Sequence, residues 1–184
     1  AEITKASVQS WLPKRLPNAH KGTYGRLLIV AGSRGMMGAA MMPTLSAMRT
    51  GSGLTTLAAP ECVVQAVAPL LMEAMTLPLA QTADGAASAE AAEQLDGALL
   101  NKTAVLAGCG LRVTKDSKRL VEYIIENTNS TIVLDADALS CLADSPSLLK
   151  RAKSPVIITP HIGEMARLTG QSAEQIAARQ AETA

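Results

Sequence analysis

A short apolar run, a glycine-bearing turn and a helical stretch succeed one another along most of this chain, and that succession limits the folds open to it. Residues 27–31 form a compact apolar run that ends in Gly32-Ser33. Gly35 and Gly38 follow, then an apolar helix reaching about Thr50, which Gly51 and Gly53 stop. Further strands are expected at 54–59, 75–79, 103–107, 131–134 and 156–159. Helices are expected at 63–71, 89–100, 115–127 and, more briefly, from Ala138 to Leu142. Over 115–127, Leu120 and Ile124, with Val121 and Ile125, mark the inward face. Pro43 fits its helix only in the first turn. Residues 80–88 are small and polar and read as a surface loop. Ser172-x-x-Gln175 is a capping box that opens a last helix.

Strands alternating with helices predict an α/β fold with a mostly parallel sheet covered on both faces. In such sheets ligands bind beyond the carboxyl ends of the strands. Gly32, Gly108, Gly110, Asp135, Asp137 and His161 all fall at those ends.

Length and composition narrow the class. A chain of 184 residues is most simply one domain, spanning 1–184. At this size about 70% of the unfolded surface is removed from water. There is no Phe, one Trp and two Tyr, so the core is expected from Leu, Ile, Val, Ala and Met. The eight Met are expected as adaptable filler. A net charge of +1 with interspersed signs argues against a nucleic-acid partner. Cys62, Cys109 and Cys141 fit neither a disulfide framework nor a zinc spacing, and are expected to be buried, reduced thiols. Neither a signal-peptide pattern nor a run of about 18 apolar residues is present, so a soluble, cytoplasmic protein with no membrane partner is expected. Residues 1–19 form a preamble whose prolines forbid a long helix, with Trp11 and Leu16 able to lie against the domain.

The glycine turns carry the chemical signal. Gly32-Ser33-Arg34-Gly35-Met36-Met37-Gly38 places backbone N–H groups at the positive end of a helix, which suits an anion. It has neither the Walker lysine nor the GxGxxG spacing, and a plain tight turn is an equal reading. Gly38-Ala39-Ala40 lets a large ligand approach, or simply allows close helix–sheet packing. Gly108-Cys109-Gly110 is similar. Acidic residues at the end of a buried strand are poor core choices. Asp135 is therefore read as ligand-orienting and Asp137 as the cap of the next helix. His161 follows Pro160 just past a strand and can donate to a ligand oxygen. Glu164 is read as a favourable partner of the following helix dipole. Lys21, in a second polar loop, meets a phosphate or is merely solvated. GxSxG, HExxH and CxxC are absent, and no catalytic triad is readable.

Taken in order, His20-Lys21-Gly22-Thr23-Tyr24-Gly25, Ala31-Gly32-Ser33 with Met37-Gly38-Ala39-Ala40, Arg49-Thr50-Gly51-Ser52-Gly53-Leu54, Leu134-Asp135-Ala136-Asp137-Ala138-Leu139 and Thr159-Pro160-His161-Ile162-Gly163-Glu164-Met165 closely resemble the ADP-dependent NAD(P)H-hydrate dehydratases. The resemblance runs along nearly the whole chain. It implies a ribokinase-like three-layer α/β/α sandwich and a metabolite-repair lyase. The implied substrate is (S)-NADHX or (S)-NADPHX, dehydrated to NADH or NADPH at the expense of ADP or ATP with Mg²⁺, giving AMP and phosphate when ADP is used. By the same resemblance, Gly38, Ala39, Ala40, Gly108, Gly110 and His161 contact the hydrated dinucleotide and Asp135 shapes its pocket. A symmetric homo-oligomer, a tetramer in relatives, is also implied.

Three departures accompany it. Ile162 replaces a proline, Cys109 stands in a turn often written Gly-Pro-Gly, and Arg112 stands where a small residue is common. Relatives continue into a Lys-Gly nucleotide loop and a Gly-Asp turn whose Asp acts as the base. Those elements are expected beyond Ala184, so no catalytic residue is expected within 1–184, and a complementary C-terminal chain is an expected partner. An inactive nucleotide-binding fragment and a different ribokinase-like kinase stay open as alternatives.

Overall fold

A computed structural model describes residues 3–12 and 14–183. Its centre is a six-stranded, all-parallel sheet in the order β3-β2-β1-β4-β5-β6. The strands are β1 (Arg26–Val30), β2 (Leu54–Pro60), β3 (Met75–Leu79), β4 (Ala104–Ala107), β5 (Thr131–Leu134) and β6 (Val156–Ile158). The chain builds leftward from β1 to β3, then returns to pair β4 on the other side of β1 and builds rightward. The order thus reverses between β1 and β4, which makes their carboxyl ends the topological switch point. This is the ribokinase-like α/β architecture.

β1 shows why both faces are covered. Leu28 and Val30 join Val105, Ala107, Ile132 and Leu134 on one side of the sheet, whereas Ile29 and Ala31 join Leu57 and Ala59 on the other. The period-2 alternation of a strand sends consecutive apolar residues into two separate cores. The first core is covered by α5 (Lys115–Asn127) and α6 (Asp137–Leu142), and the second by α2 (Met37–Thr50) and α3 (Glu61–Val67). Along α5 the residues Leu120, Val121, Ile124 and Ile125 are fully buried, and Thr114 caps its start by accepting the Ser117 N–H. Each such aliphatic side chain contributes roughly 1.5–3 kcal/mol of burial.

Methionine fills the core only at its margin, where Met37 and Met41 pack against the second core. The fully buried set contains none; Met37 and Met41 are half-buried, and Met36, Met42, Met72 and Met75 are exposed. Trp11, Leu12 and Leu16 are likewise exposed. Their segment holds α1 (Lys5–Trp11) and is tied down through Arg15, which stacks on Tyr24 and donates to the Gly51 carbonyl.

Pro43 lies inside α2, beyond its first turn. The ring removes the N–H that would reach the Ala39 carbonyl, and the helix continues with Thr44 Oγ1 bonded to the Ala40 carbonyl at 2.7 Å. The α2 helix ends on Gly51 in the left-handed region (φ +105°). The stretch expected as one helix over 89–100 is instead two tight 3₁₀ turns followed by α4 (Asp96–Leu99). These turns keep Ala91, Ala92, Leu95 and Leu99 on the sheet. Gly97 within the segment would cost about 1 kcal/mol in a continuous helix. Residues 80–88 are not a purely exposed loop: a bridge joins Gln81 to Ala87, and residues 85–88 are buried. The last elements are α7 (Ile162–Thr169), α8 (Ala173–Ala178), opened by the expected Ser172–Gln175 capping box, and α9 (Gln180–Thr183).

Candidate functional site

The carboxyl ends of β1, β4, β5 and β6 present their loops in a row. The first junction is a tight seam. Gly32 donates its N–H to the Cys109 carbonyl at 2.8 Å, and the fully buried Ser33 hydroxyl donates to the Gly110 carbonyl at 2.8 Å. A Cβ on Gly110 would lie 2.7 Å from the Ala39 Cβ, and one on Gly32 would lie 2.9 Å from the Ala40 Cβ. Ala39 and Ala40 therefore press against the seam with their methyls, and Ala40 is fully buried. Gly108 (φ +134°) belongs to the next junction, where an added Cβ would stand 1.8 Å from the Asp135 carbonyl oxygen. Only a glycine fits there.

Gly35 and Gly38 differ from these. A Cβ at either position meets nothing within 4 Å. Gly38 is exposed in the first turn of α2, whose N-cap Met36 supplies no side-chain bond. The bare N-terminus of this 14-residue helix thus opens outward at the switch point. In front of it lies a crevice of about 630 Å³, lined by Arg34, Gly35, Met36, Asp84, Arg112 and Asp137.

Asp135 and Asp137 point to different partners. Between them Ala136 has φ +51° and ψ −118°, a conformation costly for a residue with a Cβ, of order 1–3 kcal/mol. Asp135 accepts from the Thr159 hydroxyl at 2.7 Å and from the Cys109 thiol at 3.4 Å, joining the β4, β5 and β6 loops. Burial first, then the Asp135 hydrogen bond, pushes the Cys109 thiol up to about 11. Asp137 is not the cap of α6. It is the first helical residue after Ala136, and its carboxylate accepts the Arg112 N–H at 2.8 Å. Cys62 and Cys109 are half-buried and only Cys141 is buried, with all three thiols free.

His161 is the N-cap of α7. Its Nδ1 accepts the Gly163 and Glu164 N–H groups, while the nearly buried Glu164 carboxylate accepts the His161 N–H at 2.9 Å. The Nε2 atom stands 3.2 Å from Glu164 Oε1. This reciprocal box resembles the Ser/Thr-x-x-Glu pattern, with histidine supplying the acceptor, and it gives Glu164 a structural role. The ring remains largely exposed and lines a separate apolar groove with Ile158, Pro160, Ile162, Met165 and Ile176.

A model of the NAD(P)H-hydrate dehydratase family matches residues 27–184. The chain belongs to that family. It is 34% identical over 183 residues to the ADP-dependent (S)-NAD(P)H-hydrate dehydratase of Bacillus subtilis, covering 98% of this chain and 60% of that protein. Against the bifunctional NAD(P)H-hydrate repair enzyme of Moorella thermoacetica it is 38% identical over 174 residues, 95% of this chain and 33% of the relative. A solved structure of the Bacillus subtilis ADP/ATP-dependent NAD(P)H-hydrate dehydratase, co-crystallised with ATP and Mg²⁺, superposes with a TM-score of 0.77 at 32% identity, over 97% of this chain and 59% of that one. The chain therefore spans between a third and three-fifths of the length of these relatives.

Within this dehydratase-family chain, the expected site residues fall into three settings. Ala39, Ala40, Gly108 and Gly110 form the packed seam, and Asp135 adjoins it. Gly38 is open, and His161 ends the row beside its own groove. Lys21 lies at the amino end of the sheet, where its carbonyl would sit 1.7 Å from a Cβ on Gly53, away from the row. The residues around the crevice that sequence reasoning did not single out are Arg34 and Asp84. Asp84 sits in the loop after β3 and touches Arg112 only through the fold, so no local pattern marks it.

Proposed function

We propose that this chain is the part of an ADP-dependent NAD(P)H-hydrate dehydratase that holds the hydrated dinucleotide. In the proposed reaction (S)-NADHX or (S)-NADPHX loses water to give NADH or NADPH. The observation that carries the reading is the open, uncapped α2 terminus at the β1/β4 switch point, where Gly38 leaves room for a large ligand. A helix start of this kind favours an anionic group, and a dinucleotide supplies one in its diphosphate. Gly38 and Ala39 would approach that group from the α2 side and Asp135 would orient a ribose or hydrate hydroxyl. Ala40, Gly108 and Gly110 would act from beneath, by keeping the seam close enough for the two loops to form one floor. His161 would close the row through its exposed ring edge.

ADP or ATP and Mg²⁺ enter this proposal through the relatives. The described residues bring no three His, Cys, Asp or Glu side chains together as a metal site. The Asp base and the nucleotide loop are attributed to a complementary C-terminal segment. A single ribokinase-like domain over 1–184, a cytoplasmic setting and a symmetric oligomer belong to the same proposal. No helix of the described residues is long and apolar enough to cross a membrane.

The test is to mix the chain with (S)-NADPHX, ADP and Mg²⁺, with and without the complementary segment, and follow NADPH absorbance. Turnover is expected only with the segment. A segment that binds yet restores no turnover sinks the enzymatic reading and leaves that of an inactive nucleotide-binding fragment.

A further inference from the structure

We propose that Arg112 is a binding residue that grips a phosphate group of the bound dinucleotide at the crevice between the β1 and β4 loops. The inference rests on the dinucleotide site proposed above. Arg112 stands at φ +65°, in the left-handed region where glycine is comfortable and a long side chain is not. Its backbone duty does not call for arginine. The N–H bond to Asp137 would be made equally by a glycine, without strain. Nor does stability account for the side chain. The guanidinium reaches the Asp84 carboxylate at 2.8 Å and the Asp84 carbonyl at 3.3 Å, and both side chains of this ion pair are well exposed. Exposed pairs of this kind contribute little. A strained residue whose strain the fold does not need points to a role for its side chain.

The surroundings say what that role is. Arg34 lines the same crevice from the β1 loop and takes part in no ion pair among the described residues. Two arginines thus line one opening at the sheet's switch point, and a guanidinium can bind a phosphate through paired N–H donors. The crevice also holds Asp84 and Asp137. Asp137 is occupied by the Arg112 N–H, and Asp84 is the resting partner that a phosphate displaces. A hydrogen bond from Thr82, with Arg112 contributing less, holds the Asp84 carboxyl below its usual range, so it remains an ionised counter-charge near neutral pH. The phosphate is either the bridging diphosphate, present in both coenzymes, or the ribose 2′-phosphate of the NADP series.

Calorimetric titration of the chain with NADPH and with NADH separates the cases. Arg112→Gly relieves the backbone strain, so it is expected to fold with an unchanged or raised melting temperature. Its coenzyme affinity is expected to fall about 10- to 100-fold, the range of a charge-assisted hydrogen bond or two. Arg112→Lys should recover part of that loss. A loss confined to NADPH identifies the 2′-phosphate; an equal loss for both coenzymes identifies the diphosphate. If Arg112→Gly binds both coenzymes as tightly as the unaltered chain, the assignment of Arg112 is wrong while the site stands. If the unaltered chain binds neither, the site itself is wrong and Arg112 has no phosphate to grip.

Discussion

Where β1 meets β4 the backbone loops touch, and a methyl added at Gly32, Gly108 or Gly110 would overlap its neighbours. Around β6 the same edge of the sheet opens into a groove of about 650 Å³ bounded by His161 and α7–α9. The family resemblance implies that residues of both regions contact one dinucleotide. Their difference shows that a small residue at a strand tip has two possible meanings, which only its surroundings separate. In the seam, small residues exist so that the chain can pack on itself. At Gly38 and Gly35 they leave space.

Two glycine substitutions test that distinction most sharply. Gly108→Ala is expected to cost about 3 kcal/mol or more, since the positive φ and the overlap with the Asp135 carbonyl add. Gly38→Ala, in the first turn of a helix with no neighbour in reach, should leave stability unchanged or raise it by up to about 1 kcal/mol. Urea denaturation of both variants measures the contrast, and equal losses would erase the line drawn between seam and opening. At the other end of the row, His161→Ala should lose about 1 kcal/mol through the missing α7 cap. If coenzyme binding by that variant is unaltered, His161 is a cap and nothing more.

The last contrast is chemical. Burial chiefly pushes the Cys109 and Cys141 thiols up to about 11. Below pH 9 their thiolate fraction is then about 100-fold lower than that of an ordinary thiol, and iodoacetamide labelling in the native state should slow accordingly. The sign for stability follows. The native state holds these protons more tightly, so the contribution is intact below about pH 9 and is lost as pH rises towards 11. Rapid labelling of both at pH 8 would show that the β4 loop and α6 open readily.

The alternation of apolar runs and glycine turns made the sheet and most helices legible, because strand tips and helix caps are local devices. Leu120, Val121, Ile124 and Ile125 fell where their spacing put them. The failures came where contacts distant in sequence decide. Residues 89–100 have helical composition, yet they follow the sheet in short turns. Asp137 has the look of a cap, yet its carboxylate is taken by Arg112, 25 residues earlier. The positive φ of Arg112 follows from no local pattern of its own, and Asp84 meets it across 28 residues of sequence, so the crevice was not readable.

The two borders of the sheet differ in one further respect. At one border, β3 contains Pro78, which has no amide proton to lend a newcomer. At the other, Val156-Ile157-Ile158 carries neither proline nor charge, and Ile157 is half exposed. The donor row of β3 is thus interrupted where that of β6 is continuous, so a strand joining this sheet would find more backbone partners beside β6 than beside β3.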